Sequence, residues 1–198
     1  ALLTSTPCTN EVIVCPWARN HPNPVNKEVQ VSDNSFDIVV IGSGPGGYVA
    51  AIRAAQLGFS VACVEDAELG GVCLNIGCIP TKAMLASASL ANDMKTAAKH
   101  GITFSDLKLD LGPAQVRSRA VANQMAKGIG HLFKKNKVTH IEGRGRLLRG
   151  GGVGIEAADG GMQVYTAGHV IMATGSRPRD IPVLPIDEDR IWSSTGAL

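Results

Sequence analysis

Asp37-Ile38-Val39-Val40-Ile41-Gly42-Ser43-Gly44-Pro45-Gly46-Gly47 decides the fold. The four β-branched residues after Asp37 form the continuous apolar run of a strand buried on both faces in a parallel sheet. From Gly46 the pattern changes to Tyr48, Ala51, Ile52 and Ala55 at helical spacing. It stops at Leu57-Gly58, where glycine can take a left-handed cap. A second strand from Ser60 to Glu65 completes a strand-helix-strand step of about thirty residues. Between strand and helix, Gly42, Gly44 and Gly47 satisfy G-x-G-x-x-G. The first glycine permits a tight turn, the second lets a pyrophosphate approach the backbone, and the third lets helix and strand pack closely. The helix amino terminus offers unpaired N–H groups and a positive dipole end to the phosphates. Glu65, 23 residues after Gly42, ends the second strand, where a carboxylate can accept from both ribose hydroxyls and repel a 2′-phosphate. The motif does not separate FAD from NAD, and on its own it is also compatible with a structural glycine turn.

Outward from this core, a chain of 198 residues suits one domain, or one domain with a tail. The 44% hydrophobic and 18% charged residues are those of a soluble globular protein, so a packed core is expected. A net charge of +2 without a long basic run gives no footprint for nucleic acid or an anionic membrane, and neither partner is expected. Uninterrupted apolar stretches fall short of the roughly 18 residues of a membrane-spanning helix. Residues 1–35, rich in Pro, Asn, Ser and Thr, read as a poorly ordered arm or linker, and the fold is expected to begin near Phe36. The chain starts at Ala1 rather than Met, which reads as a processed chain or a fragment. A helix is expected from about Pro80 to Asn92, then a break around 99–110, then a longer helix over Leu111 to Asn136 with Val116, Val121, Met125, Ile129, Leu132 and Phe133 near helical spacing. Val138 to Leu148, Gly152 to Ala157 and Met162 to Tyr165 read as short strands of an antiparallel meander. Val170 to Ala173 reads as a further strand leading into Thr174-Gly175-Ser176.

Cys8, Cys15, Cys63, Cys73 and Cys78 make an odd count, without the density of a secreted disulfide scaffold, which points to a reducing compartment. Cys73 and Cys78 are the pair to explain. Five positions apart on a regular helix they would be separated by ~7.5 Å of rise and face different directions. If they pair, the backbone between them must be distorted, with Gly77 supplying the freedom and Pro80 suiting a first helical turn. Cys78 would then stand at a helix amino terminus with Lys82 one turn on, a setting that stabilises a thiolate. Two unrelated buried thiols remain the plainer alternative at this point. No metal site is expected, because there is no second Cys pair or nearby His pair to complete a ligand set.

The stretch Gly70-Gly71-Val72-Cys73-Leu74-Asn75-Ile76-Gly77-Cys78-Ile79-Pro80-Thr81-Lys82 resembles the redox-active site of the flavin-dependent pyridine nucleotide-disulfide oxidoreductases. Leu74 and Ile79 look more like the dihydrolipoyl dehydrogenases than the glutathione or mercuric reductases. Gly128 to Val138, Ala173 to Ser176 and Ile186 to Leu198 agree, so the resemblance covers roughly residues 36–198. It implies a three-layer α/β FAD/NAD(P)-binding Rossmann-like fold with a central parallel sheet and an antiparallel β-meander. It further implies that Gly42, Gly44, Pro45, Gly46, Gly47, Glu65 and Gly71 hold the FAD pyrophosphate and ribose. Lys82 would lie near the reactive edge of the isoalloxazine, Gly145 would meet the adenosine through backbone, and Thr174, Gly175 and Ser176 would close over FAD. Cys78 would form the charge-transfer contact with flavin, and Cys73 would be the interchange thiol of a redox-active disulfide.

The implied reaction is oxidation of protein-bound dihydrolipoamide to lipoamide with NAD as acceptor. A homodimer is the implied assembly, and the implied partners are lipoyl-bearing proteins of 2-oxoacid dehydrogenase or glycine cleavage complexes. The mitochondrial matrix or the bacterial cytoplasm is the implied location. Thr81 stands where these enzymes usually have serine, and Glu65 to Cys73 is one residue shorter than in common members. The family's general base, in a distal His-Pro…Glu motif, matches none of His21, His100, His131, His140 or His169. Leu198 falls where the family's NAD domain would begin. The NAD site is therefore expected outside this chain, with residues 1–198 alone inactive. Another flavin disulfide or mercuric reductase, or a non-catalytic FAD-binding module, is the alternative.

Overall fold

Residues 30–149 and 151–198 are described by the computed structural model; Cys8, Cys15 and His21 lie outside them. The apolar run becomes strand β1 (Gln30–Ile41), which begins earlier than the expected onset near Phe36. Its first residues pair with β6 (Met162–Met172), and the register shifts between Val31 and Ser35. Helix α1 (Pro45–Gln56) starts with proline in its first turn and ends at Leu57-Gly58, with Gly58 at φ 94° as its left-handed stop. Strand β2 (Val61–Glu65) then runs parallel to β1, and β3 (Thr139–Glu142) runs parallel to β2.

One six-stranded sheet results, in the order β3-β2-β1-β6-β5-β4. Strands β4 (Arg144–Leu147), β5 (Val153–Glu156) and β6 form the expected antiparallel meander. Two details differ from the expectation. Val138 to Leu148 is divided at Gly143 into β3, which belongs to the parallel half, and β4, which belongs to the meander. Met162 to Tyr165 and Val170 to Ala173 are not separate strands, since β6 runs unbroken from Met162 to Met172. It pairs antiparallel with β5 on one edge and parallel with β1 on the other, and so joins the two halves of the sheet.

Side chains alternate across the parallel strands, as the period of two requires. Val40, Val61 and Cys63 face the helices and pack with Ala51, Ala54, Leu74, Ile129, Phe133 and Val138. Val39, Ile41, Ala62 and Val64 face the other way and pack with Val153, Ile155 and Tyr165 of the meander. The three layers are thus helices, parallel strands and the antiparallel end of the same sheet lying over its far face.

Helix α4 (Leu111–Asn136) has the expected bounds and is capped by Asp110, whose carboxylate accepts from the Gly112 N–H at 2.9 Å. Its buried face keeps Ile129 and Phe133 of the expected apolar series, but its first half is buried through Ser118 and Ala122, and Val116 is 70% exposed. Small residues in the first half let α4 approach α3 (Cys78–Asp93) closely. There the Ser118 hydroxyl donates to the Pro80 carbonyl at 3.3 Å, and Arg117 donates to the Ala83 carbonyl at 3.0 Å. By length and composition alone, Gly71–His100 could cross a membrane. Gly77 divides it, however, and Leu74, Pro80 and Ala83 are buried within the fold.

Candidate functional site

Three strand ends converge because of the register. Ile41, the last residue of β1, is aligned with Val64 on one side and Met172 on the other. The Gly42 N–H donates to the Val64 carbonyl and the Ala173 N–H to the Ile41 carbonyl, each at 2.8 Å. The glycine turn therefore emerges between Glu65 and Thr174. Gly42 has φ 98°, and a Cβ there would fall on the Ala173 carbonyl. A Cβ at Gly47 would fall on the Gly42 carbonyl, so both positions exclude side chains for reasons internal to the fold. Gly44 is different. Its φ of −62° suits any residue, and a Cβ built there would meet no heavy atom within 4 Å. The backbone at the amino terminus of α1 is thus approachable from outside, which fits a pyrophosphate seated on it.

Glu65 is held against this turn as the sequence suggested. Its Oε2 accepts from the Ser43 N–H at 2.8 Å and the Ser43 hydroxyl at 2.6 Å. Its Oε1 accepts from the N–H groups of Asp66 at 3.1 Å and Ala67 at 3.2 Å. Ser43, fully buried, was not singled out from the sequence. The available signal was a hydroxyl between two turn glycines, one turn away from a strand-end acid.

Past Glu65 the chain reaches Gly70, whose φ of 98° starts the short helix α2 (Gly71–Ile76). A Cβ at Gly71 would stand 2.9 Å from the Gly44 Cα, so the cysteine-bearing helix begins directly over the phosphate turn. Asn75 pins this entry by donating to the carbonyls of Glu68, Leu69 and Gly71 at 3.3, 3.2 and 3.0 Å. The expected distortion is present: α2 ends at Gly77, with φ −146° and ψ −118°, and α3 begins at Cys78. Pro80 falls in the first turn of α3. The Thr81 hydroxyl donates to the Gly77 carbonyl at 2.7 Å, a bond that a serine hydroxyl has the reach to make as well.

Both cysteines are thiols here, Cys73 half-buried and Cys78 exposed. The break at Gly77 brings them into contact. The Cys73 thiol is held above its ordinary value, first by its hydrogen bond to the Cys78 sulfur and then by burial, while the Cys78 N–H and the Lys82 charge act in the opposite sense. The Lys82 charge is felt at Cys73, as the smallest of these influences. Cys63 is a separate case: burial, assisted by the Glu65 charge, pushes its thiol up to about 12, and its Sγ lies 3.8 Å from the Gly42 carbonyl.

Thr174, Gly175 and Ser176 follow β6 and are exposed, with Thr174 beside the Gly42 turn. Gly145 lies in β4, where a Cβ would stand 3.0 Å from the Ile41 side chain and 3.2 Å from the Val64 side chain, so packing over the strand ends leaves little room for a larger residue there. Its neighbour Gly143 donates to the Glu65 carbonyl at 2.8 Å. Arg119, also not singled out beforehand, donates to the Asn75 carbonyl at 2.7 Å from α4. Among the described residues no group of His, Cys, Asp and Glu is arranged to hold a metal.

A parallel strand-turn-helix with an approachable glycine turn, a strand-end glutamate beside it and two thiols in contact over it define a dinucleotide-binding α/β oxidoreductase domain. Residues 36–197 match the pyridine nucleotide-disulphide oxidoreductase family model, and the chain belongs to that family. It is 47% identical over 165 residues to human mitochondrial dihydrolipoyl dehydrogenase, covering 82% of this chain and 32% of that protein. It is 45% identical over 173 residues to dihydrolipoyl dehydrogenase of Cupriavidus necator, covering 82% and 36%. A leghemoglobin reductase of Vigna unguiculata is 46% identical over 164 residues, covering 82% and 31%. The crystal structure of LpdA from Mycobacterium tuberculosis superposes with a TM-score of 0.75 at 28% identity, covering 83% of this chain and 37% of that one. The chain thus spans about a third of the length of the curated relatives it matches.

Proposed function

We propose that residues 30–198 are the FAD-binding part of a dihydrolipoyl dehydrogenase, with the residues before β1 as an arm. The enzyme would oxidise protein-bound dihydrolipoamide to lipoamide with NAD as the final acceptor. The observation that carries this assignment is the approachable Gly44 turn lying directly beneath the helix that bears the contacting Cys73 and Cys78. Gly42, Gly44, Pro45, Gly46, Gly47 and Gly71 would hold the pyrophosphate, and Glu65 the ribose. Lys82, Gly145, Thr174, Gly175 and Ser176 would border the rest of the cofactor. FAD, when bound, supplies a two-electron relay between the cysteine pair and NAD.

The chain's own chemistry is thiol-disulfide exchange. Attack of a dihydrolipoamide thiolate on Cys73 of the oxidised pair releases Cys78 as thiolate, and the second substrate thiol then displaces Cys73. The substrate leaves as a disulfide and the pair is left as two thiols, so the two electrons balance. The hydrogen bond with Cys78 and burial hold the Cys73 thiol above its ordinary value, which supports Cys73 as the sulfur that keeps its proton in the reduced pair. The enzyme would act as a homodimer serving lipoyl-bearing proteins of 2-oxoacid dehydrogenase or glycine cleavage complexes, in the mitochondrial matrix or bacterial cytoplasm. The relatives' names, a mitochondrial and a bacterial dihydrolipoyl dehydrogenase, support the dihydrolipoyl substrate class and both settings.

Gly44→Ala tests the assignment, because the fold itself has room for the methyl group. Its melting temperature should match the unsubstituted chain, while FAD affinity, read by flavin fluorescence, should fall about tenfold or more, equivalent to ~1.4 kcal/mol. Unchanged FAD affinity in a folded Gly44→Ala chain would remove the turn as the cofactor site.

A further inference from the structure

Ser43 occupies a junction that the proposed chemistry does not use. It is fully buried, and its hydroxyl is committed on both sides. The proton goes to Glu65 Oε2 at 2.6 Å, and the oxygen accepts the Gly70 N–H at 3.2 Å. That same Gly70 N–H also reaches the Ser43 carbonyl at 3.1 Å. Gly70 is the residue immediately before α2, and Cys73 lies three residues beyond it. One side chain therefore touches the strand-end acid, the phosphate turn and the origin of the cysteine helix. We propose that the Ser43 hydroxyl is a positioning group that transmits occupation of the dinucleotide turn to α2 and its cysteine.

The physical basis is the acceptor capacity of Glu65. A carboxylate offers about four lone-pair sites. Within the chain these take the Ser43 N–H, the Ser43 hydroxyl and the N–H groups of Asp66 and Ala67. A ribose hydroxyl that donates to Glu65 must displace one of the four. Two of them come from Ser43, and rotation of its hydroxyl alters the bond that its oxygen accepts from Gly70. Close contact between Gly71 and Gly44 leaves little slack at this point, so the change moves the start of α2 rather than being absorbed. One net hydrogen bond corresponds to a factor of about twofold to tenfold in an equilibrium.

Resting on the dinucleotide assignment of Gly42 to Gly47, the coupling is tested with ADP, which supplies phosphates and ribose but no isoalloxazine to cover the cysteines. The reduced 198-residue chain is treated with iodoacetamide, with and without saturating ADP, and the modification rates of Cys73 and Cys78 are read by peptide mass mapping. Cys63 does not interfere, being buried with its thiol pushed up to about 12. FAD and ADP affinities are measured on the same preparations. ADP should change the Cys73 rate by about twofold to tenfold in the unsubstituted chain. Ser43→Ala and Ser43→Gly should still bind ADP yet show no such change. The proposal is overturned if ADP binds the unsubstituted chain without altering the rate, or if a folded hydroxyl-free variant keeps the full response. If Ser43→Ala fails to fold, Ser43→Gly and the unsubstituted chain carry the decision. Failure of the unsubstituted chain to bind either nucleotide removes the dinucleotide assignment itself, and the coupling with it.

Discussion

Cys73 and Cys78 stand in different surroundings, and their replacements should differ accordingly. Cys78 opens α3 and is exposed, whereas Cys73 sits half-buried on α2 with its thiol held above its ordinary value by the hydrogen bond with Cys78 and by burial. In the flavin-loaded parent enzyme, Cys73→Ser should abolish lipoamide turnover but keep a long-wavelength thiolate-to-flavin absorption band. Cys78→Ser should lose both. Absorption spectra of each variant across a pH titration make the measurement, and a band that survives only in Cys78→Ser would reverse the two roles. FAD should remain bound in both variants, because the phosphate and ribose contacts are assigned to Gly42 through Glu65.

At the scale of elements, the entry into the β1–β2 pair is closed by a reciprocal lock. Asp37 accepts from both the Ser60 hydroxyl and N–H at 2.7 Å, while its own N–H donates to the Ser60 hydroxyl at 2.9 Å. The Ser60 side-chain bond, then the backbone bond, hold the Asp37 carboxyl below its usual value of 3.8. A folded-state value that is depressed contributes stability present above the unfolded value and lost as pH falls through the folded one. Melting temperatures from about pH 6 down to about pH 2 should therefore fall less steeply for Asp37→Asn than for the unsubstituted chain. Equal slopes would show that the lock carries no net ionic preference. Helix α4 is started in a comparable way by Asp110, and Asp110→Ala should cost about 1 kcal/mol in denaturant unfolding. A loss below a few tenths would mean that packing on α3, rather than the cap, sets where the helix begins.

For the molecule as a whole, the sheet separates two cores that share strands but not side chains. Phe133 is buried on the helix side and Val153 on the meander side. Phe133→Ala should cost about 3–5 kcal/mol and Val153→Ala a smaller amount, each through a cavity that its neighbours fill only in part. With no shared contacts, the two losses should add to within about 0.5 kcal/mol in the double variant. Equilibrium unfolding in urea measures all three. An interaction larger than about 1 kcal/mol would show that the layers are coupled through β1 and β2 more strongly than the separation of their side chains implies.

The features written in neighbouring residues could be read without coordinates. Strand β1 by its β-branched run, the stop at Gly58, the bounds of α4 and the kink at Gly77 all depend on propensities and φ requirements within a few positions of each other. Glu65 was placed correctly for the same reason, because one strand-turn-helix-strand step has little freedom in length. Other features depend on groups brought together across tens of positions. That Met162 to Met172 is one strand follows from its pairing with β1 on one edge and β5 on the other, which no local pattern records. The inward face of α4 runs through Ser118 and Ala122 because α3 approaches too closely there for larger side chains. The Lys82 charge reaches Cys73 across the break at Gly77, which no helical spacing records. Ser43, an unremarked residue between two glycines, became the junction of turn, acid and cysteine helix only when residues 43, 65 and 70 met. Local sterics act over adjacent residues and leave their mark in the sequence, whereas a hydrogen bond takes whichever partner the completed fold presents to it.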